Sequence, residues 1–108
     1  MKVQIDRAER VVPRQMIKAG IIVGVGVPEL FGQVTNLSES GIFIAVNGTV
    51  KLNTRCIVRL IIDMDSTPVL LHSQAVRVDE QGVGMCFIDP DPDAVEFIRG
   101  LLSAYKTD

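Results

Sequence analysis

Six short apolar runs, each closed by a break bearing Gly, Asn, Asp or Pro, leave this chain few folds to choose from. They read MIKAGIIV, LFGQVTNL, GIFIAV, RCIVRLII, VLLHSQAVRV and GVGMCFI, in that order from about Gln15 onward. Runs this short and this regularly broken suit an antiparallel sheet that closes on itself, so the expected class is all-β, a six-stranded antiparallel β-barrel. The fourth run sets the faces. Cys56, Val58, Leu60 and Ile62 alternate with Arg55, Ile57, Arg59 and Ile61, giving one wholly apolar face and one mixed face, as a half-buried strand requires. In the fifth run, Ser73 and Gln74 break the apolar letters and mark an exposed face at mid-strand.

The tail changes period. Asp91 is placed to cap a helix, Pro92 suits its first position, and Asp93 favours the positive end of the dipole. Ala94, Phe97, Ile98, Leu101, Leu102 and Tyr105 then recur at helical spacing, so one amphipathic C-terminal α-helix plugs a barrel mouth or covers one face. The resulting division is a flexible basic arm over 1–14, a barrel over 15–90 and a helix over 91–106, all within one domain. With 108 residues, a single core is what the chain can build.

Charge narrows the partners. The net charge of −2 lacks the broad basic face that gripping long nucleic acid demands. It is unevenly spread, however: residues 1–20 carry five basic against two acidic side chains (+3), and residues 21–108 carry six against eleven (−5). A cationic arm precedes an acidic body. No run nears the roughly 20 apolar residues that cross a bilayer, and the start, MKVQIDRAER, is charged where a secretory signal is apolar, so no membrane insertion and a cytoplasmic location are expected. Cys56 and Cys86 sit singly in apolar runs and read as buried free thiols.

Catalytic patterns are poor. His72, the one histidine, has no cysteine or acid at ligand or triad spacing and reads as a structural surface or half-buried residue. The glycines of GIIVGVGVP are followed by neither a helical pattern nor a phosphate-binding lysine, and suit a strand end and a turn. Asp89, Asp91 and Asp93 alternate as the first ligands of a calcium loop do, but the intervening prolines and the missing bidentate glutamate favour helix capping. Neither a metal site nor an enzyme is expected.

Two segments carry more. In Arg10-Val-Val-Pro-Arg14, Pro13 pushes Val12 out of the α region and leaves the segment extended or looped. The two guanidinium groups are then free to fork around an anionic or acceptor-rich ligand, or to remain a solvated basic terminus. A second RxxxR, Arg55 to Arg59, lies within a strand and reads as solvated surface. The other segment, Asn36-Leu-Ser38-Glu-Ser-Gly41, is a turn between the second and third strands. Asn36 brings an amide, Ser38 a hydroxyl, and Gly41 a backbone open to close approach. Such a turn either serves the chain alone, by bonding its own backbone, or presents donors to a ligand at the barrel rim.

Together, RxxxR at Arg10 to Arg14 and NxSxxG at Asn36 to Gly41, 21 residues apart, resemble the paired motif of the PilZ family, bacterial receptors for cyclic diguanylate (c-di-GMP). LNTRCIVRLII, AVRVDEQGVGMCFID and DPDAVEFIRGLL are similar to that family's fourth strand, last hairpin and terminal helix. The resemblance implies a free-standing second-messenger receptor without catalysis. Its ligand would be c-di-GMP, with no further cofactor, and its output a partner effector protein engaged when the arm orders over the ligand, in the service of motility or biofilm formation. On this likeness Arg10 and Arg14 engage guanine edges and phosphates, Asn36 bonds a guanine, and Ser38 and Gly41 shape the rim. Arg77 stands where members often supply a further contact. The alternative is a PilZ-type interaction protein with little ligand affinity that docks to motility or secretion machinery. Two departures bear on affinity: Glu9 stands where many members have a basic residue, and Asn36 replaces the more frequent aspartate.

Overall fold

A computed structural model describes residues 17–62 and 67–106, with side chains described through residue 103. The six apolar runs become β1 (Lys18–Ile22), β2 (Leu30–Leu37), β3 (Gly41–Val46), β4 (Arg55–Ile61), β5 (Val69–Asp79) and β6 (Gly82–Phe87), followed by α1 (Pro92–Lys106). The strands close in the order β1-β2-β3-β6-β5-β4, every neighbouring pair antiparallel. The expected barrel and C-terminal helix are therefore present. Residues 1–14, with Arg10 and Arg14, lie outside the described residues.

Alternation along each strand builds the interior. In β4, Cys56, Val58 and Leu60 are buried, while Arg55 is exposed and Ile57, Arg59 and Ile61 are half-buried. Ile21, Ile44, Leu71 and Val83 join them from four other strands. The fifth strand departs from expectation. Ser73 points into the core, fully buried, and His72 takes the exposed place beside it. The Ser73 hydroxyl donates to the Leu71 carbonyl at 3.0 Å, and a hydroxyl satisfied within its own strand is buried at little cost.

Two β-bulges interrupt the ladders. Between β2 and β3 the register steps from Val34↔Ile44 to Asn36↔Phe43, leaving Thr35 as the extra residue. Between β5 and β6 it steps from Ala75↔Met85 to Arg77↔Gly84, leaving Val76 as the extra one. Because strand side chains alternate, one extra residue reverses the face of everything beyond it. Val34 and Ala75 point inward, so strict alternation would bury Asn36 and Arg77; the bulges turn both outward.

The helix begins as the tail's pattern implies: the Asp91 carbonyl accepts the Val95 amide at 3.0 Å, with Pro92 at the first helical position. Ala94, Ile98 and Leu102 are buried in the same cluster as the barrel's interior side chains. Phe97, expected on this stripe, is 37% exposed, and Leu101 is half-buried against the core. The thiols also differ. Cys56 is buried, its Sγ 3.6 Å from the Met85 Sδ, and burial pushes its pKa up; Cys86 is only half-buried.

Two outcomes follow from this packing. Ile98→Ala removes the most buried side chain of α1 and should lower unfolding free energy by about 2–5 kcal/mol in a urea titration, with Phe97→Ala costing clearly less. An Ellman titration of the native protein should report one reactive thiol, Cys86, with Cys56 appearing only on denaturation, because a buried thiol with a raised pKa offers little thiolate.

Candidate functional site

The two bulges converge on one surface. Successive register partners Asn36, Phe43, Gly84 and Arg77 form a single row across β2, β3, β6 and β5, on the outside of the barrel. Above the row opens a concavity of about 500 Å³, whose lining includes Asn36, Ser38, Gly41, Phe43, Arg77 and Cys86. Four of the residues read as ligand-contacting, Asn36, Ser38, Gly41 and Arg77, thus share one wall.

The turn that joins β2 to β3 divides its labour. Ser38 is 5% exposed, and its hydroxyl accepts from the Ser40 amide at 3.2 Å and the Gly41 amide at 3.1 Å. The Ser38 amide donates to the Gly41 carbonyl at 2.9 Å, closing the reversal. The hydroxyl is thus spent on the chain's own backbone, as Ser-bearing turns commonly arrange. Gly41 is required for a different reason: a Cβ there would run into the Met85 carbonyl oxygen of β6. Asn36 is the member left over, with no hydrogen bond to its amide among the described residues, half-buried on the outer face beside Phe43.

One backbone bond ties the turn to β6, and an exposed ion pair lies on its other side. The Phe87 amide at the end of β6 donates to the Ser40 carbonyl at 2.9 Å, and the Glu39 carboxylate takes the Arg99 Nε of α1 at 3.2 Å. A ligand resting here would meet a preset surface.

At the other end of the row, the Arg77 Cζ lies 5.0 Å from the centroid of the Phe43 ring, over its face. Its Nε donates to the Asp79 carboxylate at 2.9 Å, and the other oxygen of Asp79 accepts the Gln81 amide at 2.8 Å. That amide, with the neighbouring guanidinium, holds the Asp79 carboxyl below the usual carboxylate range despite some desolvation. Phe43 escaped the sequence reading because GIFIAV reads as one apolar strand; only the register shows its ring facing out between Asn36 and Arg77.

The second RxxxR pair behaves otherwise. Arg55 is exposed as read, but Arg59 is half-buried: its Nε and Nη2 donate to Glu29 at 3.0 and 3.2 Å, and it lies 5.8 Å from the Phe31 ring centroid. These lie on β2, just before it, and on β4, and do not line the concavity.

Comparison with known proteins agrees with this architecture. The fold is similar to the PilZ domain of YcgR from Escherichia coli, solved with c-di-GMP, at a TM-score of 0.76 and 8% identity over 93% of this chain and 90% of that one. It is also similar to the PilZ domain of CeSA from a cellulose-synthesizing bacterium, at a TM-score of 0.68 and 14% identity over 93% of this chain and 100% of that one. At such identities the likeness speaks for the fold alone, and no curated protein matches the chain. The model of the PilZ domain family, however, matches residues 4–104, nearly the full length. The chain belongs to the PilZ domain family.

Proposed function

We propose that the protein is a receptor for c-di-GMP that binds its ligand on the outer face of the barrel and performs no catalysis. One observation carries this reading: the spare amide of Asn36 and the guanidinium of Arg77 stand at two ends of one outward row, over a preformed turn. With strands about 4.8 Å apart, that row spans about 14 Å, the breadth of a dinucleotide rather than of a single base. A volume of about 500 Å³ falls in the range of small-molecule sites. The YcgR domain of the same fold was solved with this ligand.

The first half of the motif completes the site from the arm. Ile17, where the described chain begins, accepts the Val34 amide at 2.7 Å, two residues from Asn36. Arg14 is three residues upstream, so its Cα lies within about 11 Å of that of Ile17. Arg14 is therefore the cation we assign to a ligand over this row, with Arg10 four residues before it. In this reading Arg10 and Arg14 hold phosphates and guanine edges, Asn36 bonds a guanine, and Ser38 and Gly41 keep the turn in shape. Ligand binding orders the arm, and the ordered arm is what a partner protein reads.

Titration calorimetry with c-di-GMP should give saturable heat that disappears in Arg14→Ala and falls sharply in Asn36→Ala, with melting temperatures unchanged in both. Ser38→Ala should behave differently: loss of the bonds its hydroxyl accepts should lower stability by about 1–2 kcal/mol. Absence of heat with the unmodified protein, together with ligand-independent capture of a partner, would replace this reading with that of an interaction module.

A further inference from the structure

The wall of the barrel opposite the ligand row is unlike a surface that meets only water. No residue of β1 or β4 lines the concavity. On the outer side of these strands, register places Ile22 beside Ile57 and Lys18 beside Ile61, and Leu70 of β5 stands against Arg59. Ile22, Ile57 and Ile61 are half-buried without joining the core cluster, Leu70 is 57% exposed, and Phe31, across Gly20 from Arg59, is 58% exposed. Outward strand positions that face solvent are ordinarily polar, so a contiguous apolar strip here calls for something to cover it. Its centre is made neutral from within. The Glu29 carboxylate crosses β1 to accept from Arg59 at 3.0 and 3.2 Å, passing over Gly20, where any Cβ would run into it. The charges left over stand at the two ends. Lys18 and Arg55 are exposed and have no ion pair among the described residues, although residues 21–108 as a whole carry an acidic excess.

We infer that this wall is the docking face for a partner protein, and that the segment it takes is an amphipathic helix with an apolar stripe and carboxylates at both ends. Size sets the first part. Lys18 pairs with Ile61, six residues from Arg55 along β4, so the two cations stand about 20 Å apart, the length of a helix of about 13 residues. The strip spans β1, β4 and β5, about 10 Å, which is the width of one helix. It falls well short of the roughly 800 Å² per partner that two globular surfaces bury in a stable complex. Charge sets the second part. A second copy of the chain meeting this wall about a two-fold axis would bring cations against cations in either orientation, whereas an acidic-ended segment meets both with opposite charge. A pocket of about 430 Å³ at the Arg55 end, whose lining includes Ile57, His72, Ile88 and Asp89, gives one side chain of that segment a place to enter. Asp89 is the group there that opposes an acidic partner. The other end adjoins the arm, because Lys18 directly follows Ile17, and a segment seated on the wall lies beside the arm's root. The receptor reading thereby gains a partner face, while docking itself does not depend on c-di-GMP.

Photo-crosslinking tests the face, and charge reversal tests the partner's chemistry. The full chain carries benzoylphenylalanine in place of Leu70, is shown to fold by thermal melting, and is irradiated in the cells that normally make it. The same probe in place of Val76, an exposed residue that lines the ligand concavity, is the control for the other wall. The Leu70 probe should give a product that the Val76 probe does not, and the crosslinked segment should be an acidic amphipathic helix. A synthetic peptide of that sequence should then bind the purified protein in fluorescence anisotropy. Lys18→Glu combined with Arg55→Glu should weaken it about tenfold, changing the peptide's terminal acids to lysine should restore binding to that double variant, and Asp89→Asn should strengthen the original peptide about twofold. Absence of a product specific to the Leu70 probe overturns the inference. So does a crosslink to residues 1–16 of the same chain, to a second copy or to lipid, and so does a partner peptide whose affinity ignores the double reversal. Calorimetry with c-di-GMP separates the two readings: peptide binding by a protein that gives no heat removes the receptor and leaves the docking face, and heat without a Leu70 crosslink does the reverse.

Discussion

Everything at the candidate site depends on two extra residues. A closed barrel has no free edge and a filled interior, so its chemistry must be set out on its outer wall. Side chains reach that wall only at alternate positions, and in β2 and β5 the alternation begun by Val34 and Ala75 runs the wrong way for Asn36 and Arg77. Thr35 and Val76 correct it. Each bulge reverses the face of the residues beyond it while Leu37 and Val78 return to the core side, paired with Ile42 and Val83. Removing either extra residue would swap a polar side chain into the core and an apolar one onto the surface, a change no adjustment of side chains could absorb.

The same device explains what was legible in the sequence and what was not. The six strands and the helix follow from hydrophobic period and turn residues, and those signals are local, so they survive translation into structure. A bulge has no such signature: LFGQVTNL and VLLHSQAVRV read as uninterrupted strands, and only pairing with β3 and β6 reveals the extra residue. Ser73 misled for a related reason. Polarity marks an exposed position only when the polar group needs water, and its hydroxyl is satisfied by the Leu71 carbonyl. NxSxxG was legible as a motif, but its letters do not say that Ser38 and Gly41 serve the turn while the Asn36 amide makes no hydrogen bond among the described residues. The contacts of Phe43 and Asp79 with Arg77 were invisible because they are made across and along the sheet.

Rigidity and recognition are thereby assigned to different residues. Ser38 and Gly41 are tied to backbone, the Ser40 carbonyl is bonded to β6, and the core cluster beneath includes Leu37, Ile42 and Met85. A floor of this kind costs little further ordering when a ligand arrives, so whatever entropy binding consumes must be lost elsewhere in the chain. Asn36 and Arg77 stand above that floor. Their substitution leaves the fold's packing in place, whereas substitution of Gly41 does not, because the Met85 carbonyl occupies the space any side chain would need.

Electrostatics impose a last condition. Residues 21–108 carry an excess of acid, and an anionic ligand would be repelled by carboxylates left bare beside its site. The two carboxylates that flank the row are not left bare. Glu39, inside the motif turn, shares Arg99 with Glu96 at 3.2 and 3.5 Å, and Asp79, beyond the far end, is met by Arg77 at 2.9 Å. Both pairs are substantially solvent-exposed, and such pairs contribute little to stability, so holding the fold together is a poor account of their placement. Their effect is on the local potential: each offsets part of the carboxylate charge beside the row. The Arg99 pairing also sets a limit on α1, which must stay where its guanidinium meets the turn for that offset to persist. The buried contacts of Ala94, Ile98 and Leu102 keep it there. The helix thus contributes to the site through charge as well as to the core through packing.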